Sequence, residues 1–260
     1  MPLERFTDRV AIVTGAASGI GKATAARLAT EGATVLASDI TKDALDTSVE
    51  EANAAAGASG AGGSVVAHVA DISDEAQAAG TIEAAISHWG RLDALCNIAG
   101  MLRTVRTHEC DLETWNKILD VNLTGTFLMC RSALPHLITS KGAIVNAAST
   151  SSFFGHPWMA AYASSKGAIA ALTQSLAVEY CKEGVRVNAV APGSVTSGIT
   201  NNVSFPDDLT KEEGKLVRRI MSPTGFGAPE DVAAVVAMLA GPDGKHITGE
   251  IIRVDGGTHA

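Results

Sequence analysis

Val10-Ala11-Ile12-Val13-Thr14 runs without a break into Gly15-Ala16-Ala17-Ser18-Gly19-Ile20-Gly21, and an amphipathic stretch, Gly21–Thr30, follows. The first run is too short for a helix and too continuously apolar for a strand wetted on one face. The glycines after it let the chain turn sharply and leave backbone N–H groups uncovered where a helix begins. With the helix dipole behind them, those groups suit a pyrophosphate. The spacing is GxxxGxG rather than GxGxxG. On these residues alone, a plain glycine-rich strand-to-helix turn stays open.

The same rhythm continues outward. Short β-branched runs recur at Thr34–Ser38, Val65–Val69, Leu92–Asn97, Ala143–Ala147, Val185–Ala191 and Ile251–Val254. Between them lie stretches of helical length: Lys42–Ala55, Glu75–His88, Leu112–Leu137, Ala160–Cys181 and Pro229–Leu239. Alternating strands and helices predict a parallel sheet covered on both faces, one doubly wound α/β domain spanning residues 1–260 with seven strands. Asp74 with Gln77, Asp111 with Thr114, and Pro229-Glu230-Asp231 mark helix starts. Gly57–Gly63 reads as a flexible surface loop. Residues 193–223 are polar and long for a connection, which predicts a substrate lid with a short helix over Lys211–Ile220.

Composition narrows the function. Twenty Lys and Arg face twenty-eight Asp and Glu, a net charge of −8, which argues against a nucleic-acid partner and an anionic membrane surface. With 46% hydrophobic and 18% charged residues the chain can bury a full core. No apolar run approaches the ~20 residues of a membrane span, and the start lacks the features of a secretory signal, so a cytoplasmic protein is expected. Cys96, Cys110, Cys130 and Cys181 form no CxxC pair and read as reduced thiols. His108, Glu109 and Cys110 are adjacent but have no further ligands in view, so no metal site is expected.

Acidic and small residues end the strands. Asp39 follows the second one, about twenty residues beyond the glycine turn, where a carboxylate can accept from both hydroxyls of an adenosine ribose. It would repel a 2′-phosphate. Asp39 could also cap the next helix, a role Thr41 could fill instead. Asp71-Ile72 ends the third strand, where a carboxylate could meet an adenine amino group. Asn97-Ile98-Ala99-Gly100 ends the fourth. Farther on, Tyr162 and Lys166 stand at i and i+4 of one helix, on one face. An ammonium at ~4 Å and effective dielectric ~20 favours a phenolate by roughly 4 kcal/mol. That is about three pKa units, enough for an acid/base near neutrality.

Taken together, TGAASGIG, Asp39, NIAG, Asn122, Ser149, YASSK, Pro192-Gly193 and the closing Val254-Asp255-Gly256-Gly257 resemble the short-chain dehydrogenase/reductases over nearly the whole chain. The resemblance implies that Gly15, Ser18, Gly19, Ile20, Gly21, Asp39, Asp71, Ile72, Asn97, Ala99 and Gly100 bind NAD. It implies a catalytic tetrad. Tyr162 is the acid/base, Lys166 lowers its pKa and holds the nicotinamide ribose, Ser149 bonds the reacting oxygen, and Asn122 anchors a water that links Lys166 to solvent. Pro192, Val195 and Ser197 would bring backbone groups to the nicotinamide carboxamide. Two departures stand out: Cys-Asn-Ile-Ala-Gly for the family's Asn-Asn-Ala-Gly, and Ser197 where a threonine is common. The implied activity is NAD-dependent hydride transfer between a secondary alcohol and its ketone, in a homotetramer paired through Leu112–Leu137 and Ala160–Cys181. The runner-up is an NADPH-dependent 3-oxoacyl-thioester reductase. A non-catalytic NAD-binding protein of this fold would carry a broken tetrad, and this one is intact. Phe153, Phe154, Pro157, Trp158 and Met159, with Met101 and Leu102, are expected to give the substrate an apolar wall or to pack between subunits. His156 could touch substrate but is read as a surface or structural residue.

Overall fold

The computed structural model describes residues 4–196, 205–206 and 208–259. Seven parallel strands form one sheet in the order β3-β2-β1-β4-β5-β6-β7. The strands are β1 (Val10–Thr14), β2 (Thr34–Asp39), β3 (Ser64–Val69), β4 (Ala94–Asn97), β5 (Ala143–Ala147), β6 (Arg186–Pro192) and β7 (Ile251–Val254). The helices between them are α1 (Gly19–Thr30), α2 (Lys42–Ser59), α3 (Glu75–Trp89), α4 (Leu112–Leu119), α5 (Gly125–Ser140), α6 (Ala160–Tyr180), α7 (Lys211–Arg218) and α8 (Pro229–Ala240). The chain winds outward from β1 to β3, crosses back to β4 and winds the other way. The crevice at this reversal, between the ends of β1 and β4, is where ligands bind in such sheets.

Strand alternation sorts the core into two layers. Ala11 and Val13 face a cluster with Leu28 of α1, Leu45 of α2 and Val232 and Val236 of α8. Val10 and Ile12 face the other cluster, with Ile82 of α3, Met129 and Leu134 of α5 and Leu176 of α6. Central strands β1 and β4 are buried throughout, as their continuous apolar runs require. The edge strands depart from that expectation. Val66 and Val69 of β3 are exposed, because only one neighbour strand and a partial helical cover protect them.

Three local expectations change. Gly57–Gly63 is not a loop throughout: α2 continues to Ser59, and Gly60 ends it in the left-handed conformation, φ 74°. The Leu112–Leu137 helix is not continuous. Residues Asp120–Thr124 form a π turn in which the Gly125 N–H reaches the Asp120 carbonyl. The helix near Lys211 ends at Arg218 rather than Ile220. The caps hold. Asp74 accepts from the Gln77 N–H at 2.9 Å and Asp111 from the Thr114 N–H at 2.7 Å. Among the described residues no helix is long and apolar enough to cross a membrane.

Candidate active site

The glycine turn is shaped by contact. Gly15 holds φ 69°, and a Cβ there would stand 2.8 Å from the Ala99 Cα. A Cβ on Gly21 would lie 2.1 Å from the Gly15 carbonyl oxygen, so α1 presses directly on the turn. Thr14 braces the opposite side, its hydroxyl accepting from the N–H groups of Ile98 and Ala99 at 3.0 and 3.1 Å. Ser18 precedes α1 without capping it with its side chain, which leaves the first N–H groups of the helix directed at the crevice. A cleft of about 490 Å³ opens there. Its walls include Gly15, Ser18, Gly19, Ile20 and Gly21, then Asp39, Asp71, Ile72, Ala99, Gly100, Ser149, Tyr162, Lys166, Pro192 and Val195. The structure therefore gathers most of the sequence-derived site residues on one surface. An uncapped helix start, glycines that leave no room for a Cβ and a carboxylate on the rim fit a dinucleotide.

Asp39 marks one end. One carboxylate oxygen accepts from the Ala17 N–H at 3.1 Å and the other from the Thr41 N–H at 3.0 Å. Thr41 occupies the cap position of α2 but makes no side-chain cap bond. Ser38, Ile40 and Thr41 flank Asp39 on the wall and none is basic. Lys22 turns away to Glu51, at 2.7 Å. Asp71 takes both the N–H and the hydroxyl of Ser73 onto one oxygen, at 2.9 and 2.6 Å, and these bonds hold its carboxyl below the ordinary range.

The other end holds Ser149, Tyr162 and Lys166. Lys166 is 4% exposed, and its ammonium donates to the Ala147 carbonyl at 2.7 Å. Burial brings its pKa down to about 8. The Tyr162 ring edges the cleft, with the ammonium 5.8 Å from its centroid. Burial pushes the phenol above its ordinary value, and a hydrogen bond with Ser149 pulls it partly back. The expected lowering by Lys166 is thus not what this state shows. Desolvation is the largest cause of the rise. The Ser149 hydroxyl also accepts from the Ser151 N–H at 3.2 Å.

Two predicted residues stand behind the wall rather than on it. Asn97 turns away into the core, where its amide donates to Asn146 at 2.9 Å and to the Cys130 sulfur at 3.3 Å. Asn122, fully buried, accepts from the Met101 N–H at 2.7 Å and donates to the Met101 carbonyl at 2.9 Å and to the Ser165 hydroxyl at 3.0 Å. It holds the β4 loop against α6, next to Gly100, where a Cβ would be 3.4 Å from the Lys166 ammonium. Ser197 lies outside the described residues. Lys117 and Val121 line the cleft without having been singled out in the sequence, although their four-residue spacing puts them on one helical face. His156 is held by the Phe154 carbonyl and the Thr150 hydroxyl, as a structural histidine would be.

Comparison with known proteins agrees with this geometry. The family model described as enoyl-(acyl carrier protein) reductase matches residues 15–259. A 3-oxoacyl-[acyl-carrier-protein] reductase of Thermotoga maritima is 38% identical over 255 residues, covering 97% of this chain and 98% of that protein. The meso-2,3-butanediol dehydrogenase of Serratia marcescens is 35% identical over 257 residues, covering 98% and 96%. The crystal structure of a 3-ketoacyl-(acyl-carrier-protein) reductase from Brucella melitensis complexed with NADH superposes with a TM-score of 0.85 at 30% identity, covering 98% of this chain and 99% of that one. Fold, cleft and full-length similarity agree, and the chain belongs to the short-chain dehydrogenase/reductase family.

Proposed function

We propose that this oxidoreductase uses NAD to move a hydride between a secondary alcohol and its ketone, within a single catalytic domain. The observation that carries the reading is that Asp39 and the Ser149–Tyr162–Lys166 group stand at opposite ends of one cleft. Glycines and the start of α1 hold the pyrophosphate between them. The nicotinamide, when bound, supplies the carbon that gives or accepts the hydride. Tyr162 gives the proton to the carbonyl oxygen in reduction and takes it from the alcohol in oxidation. Ser149, on the same wall as the phenol, steadies the same oxygen. Lys166 holds the nicotinamide ribose and keeps a positive charge beside the phenol. Asn122 acts through the loop it fastens. Pro192 and Val195 meet the carboxamide. Leu112, Phe127 and Val178 leave apolar side chains outward on α4, α5 and α6, in keeping with a homotetramer.

The choice of NAD rests on charge. A 2′-phosphate of charge near −2 would face Asp39 with no base at Ser38, Ile40 or Thr41 to answer it. Like charges at short range in a partly dry site oppose binding by several kcal/mol. With a panel of secondary alcohols, kcat/KM with NAD should exceed that with NADP by about 10²-fold or more, roughly 3 kcal/mol. Asp39→Ala should narrow the ratio mainly by rescuing NADP. Equal use of both cofactors by the unaltered protein would remove Asp39 from the ribose. A second reading, reduction of a 3-oxoacyl thioester, is favoured by the names of two relatives, one of them crystallised with NADH.

A further inference from the structure

Lys117 stands on the wall of the cleft without a part in the chemistry given above. It belongs to the last turn of α4 and lies one helical turn before Val121, which borders the same cleft. Glu113 lies one turn earlier on α4, where a Glu-to-Lys pair would ordinarily close. That pair does not form. Among the described residues the Lys117 ammonium has no hydrogen bond or ion pair, and its side chain is exposed.

Asp71 reaches the same stretch of the cleft from the end of β3. Its N–H donates to the Gln77 Oε1 at 3.0 Å, which fixes the residue at the start of α3. Both bonds from Ser73 fall on one carboxylate oxygen, so among the described residues the other oxygen accepts none. Gly125 brings the two elements together. It closes the π turn after α4 against Ile72, whose carbonyl oxygen would lie 3.1 Å from an added Cβ. Asp71, Ile72, Lys117 and Val121 thereby border one cleft. The Lys117 charge acts on Asp71, adding to the Ser73 bonds that hold the carboxyl below its ordinary range.

An adenine offers along one edge an amino group that donates and, beside it, a ring nitrogen that accepts. A carboxylate only accepts and an ammonium only donates. The free oxygen of Asp71 and the unpaired Lys117 match that edge group for group. Resting on the dinucleotide reading above, we propose that Lys117 is a cofactor-binding residue. Its ammonium donates to a ring nitrogen of the adenine while Asp71 accepts from the amino group beside it.

The test is isothermal titration of the full chain with two probes. ADP-ribose carries the adenine; nicotinamide mononucleotide carries a phosphate and no adenine. Lys117→Met keeps the aliphatic stem and removes the donor. It should raise the dissociation constant for ADP-ribose about five- to tenfold and leave that for the mononucleotide within about twofold. Lys117→Arg, which can donate again, should recover most of the loss. An unchanged ADP-ribose constant in Lys117→Met would overturn the proposal. So would equal weakening of both probes, since Lys117 would then only draw phosphate by its charge, and so would a wild type that binds no ADP-ribose. The expected titrations from a protein that reduces no ketone would uphold the role of Lys117 and bring down the proposed function alone.

Discussion

Lys166 keeps a positive charge where water hardly reaches, and this sets a conflict between stability and activity. Its folded pKa is about 8, below the ordinary 10.5. Between those values the unfolded chain binds a proton that the folded chain does not, so stability rises with pH across that window. Below it the fold carries the whole cost, up to about 3 kcal/mol at ~1.4 kcal/mol per unit. Lys166→Met at pH 7 should therefore stabilise the cofactor-free protein. The gain should be about 1–3 kcal/mol, because the Ala147 carbonyl loses a donor. Thermal unfolding at pH 7 and pH 10.5 checks this, and the gap between variant and wild type should close at the higher pH. The same variant should lose ketone reduction and cofactor affinity. Tyr162→Phe should separate the two, lowering turnover by about 10²–10⁴-fold while cofactor binding holds. More than a tenth of wild-type turnover in that variant would defeat the assignment of the acid. The i, i+4 spacing put Tyr162 and Lys166 on one helix face, a pattern surface helices also carry, and the family resemblance supplied their roles. The direction of the Tyr162 shift was not legible, since desolvation belongs to walls assembled from β5, α6 and the β4 loop, and no short stretch of sequence shows it.

Strands β1, β5 and β7 begin and end where their apolar runs do. The break between α4 and α5 was hidden, because Leu112–Leu137 keeps helical character throughout and the cause lies elsewhere in the chain. The Asn122 amide is pinned by Met101 and Ser165, and the Thr126 hydroxyl donates to the Asn122 carbonyl at 2.8 Å. One extra residue in the turn accommodates these bonds. Gly125 closes that turn against Ile72, whose Cγ1 would lie 2.9 Å from an added Cβ. Gly125→Ala should therefore destabilise the protein by about 1–3 kcal/mol, through overpacking rather than helix propensity, which alone would favour alanine. A denaturant midpoint that rises in this variant would show that Ile72 yields. Asn97 illustrates the opposite limit. Its place at the end of β4 was legible, but the side to which it points depends on strand alternation relative to the crevice.

In the whole molecule the cleft joins both halves of the sheet, so a bound dinucleotide contacts each. At a hundredfold excess over its dissociation constant NAD should stabilise the fold by about 2.7 kcal/mol. For a chain of this size that moves the midpoint of thermal unfolding up by roughly 5–10 °C. NADP at the same concentration should move it far less, and equal shifts would count against the role given to Asp39. The winding itself raises a further question. The central strands are short, apolar and so alike that β4 and β5 could pair two residues out of step and still bury the same faces. In the native sheet Asn97 stands opposite Asn146, the two amides bond, and Asn146 donates onward to the Thr173 hydroxyl of α6 at 3.0 Å. A slipped pairing would strand these amides among aliphatic side chains, at a cost of about 1–3 kcal/mol for each group left without a partner. The polar trio thus marks the native register, the alignment in which Gly100, Ser149 and Lys166 line one cleft.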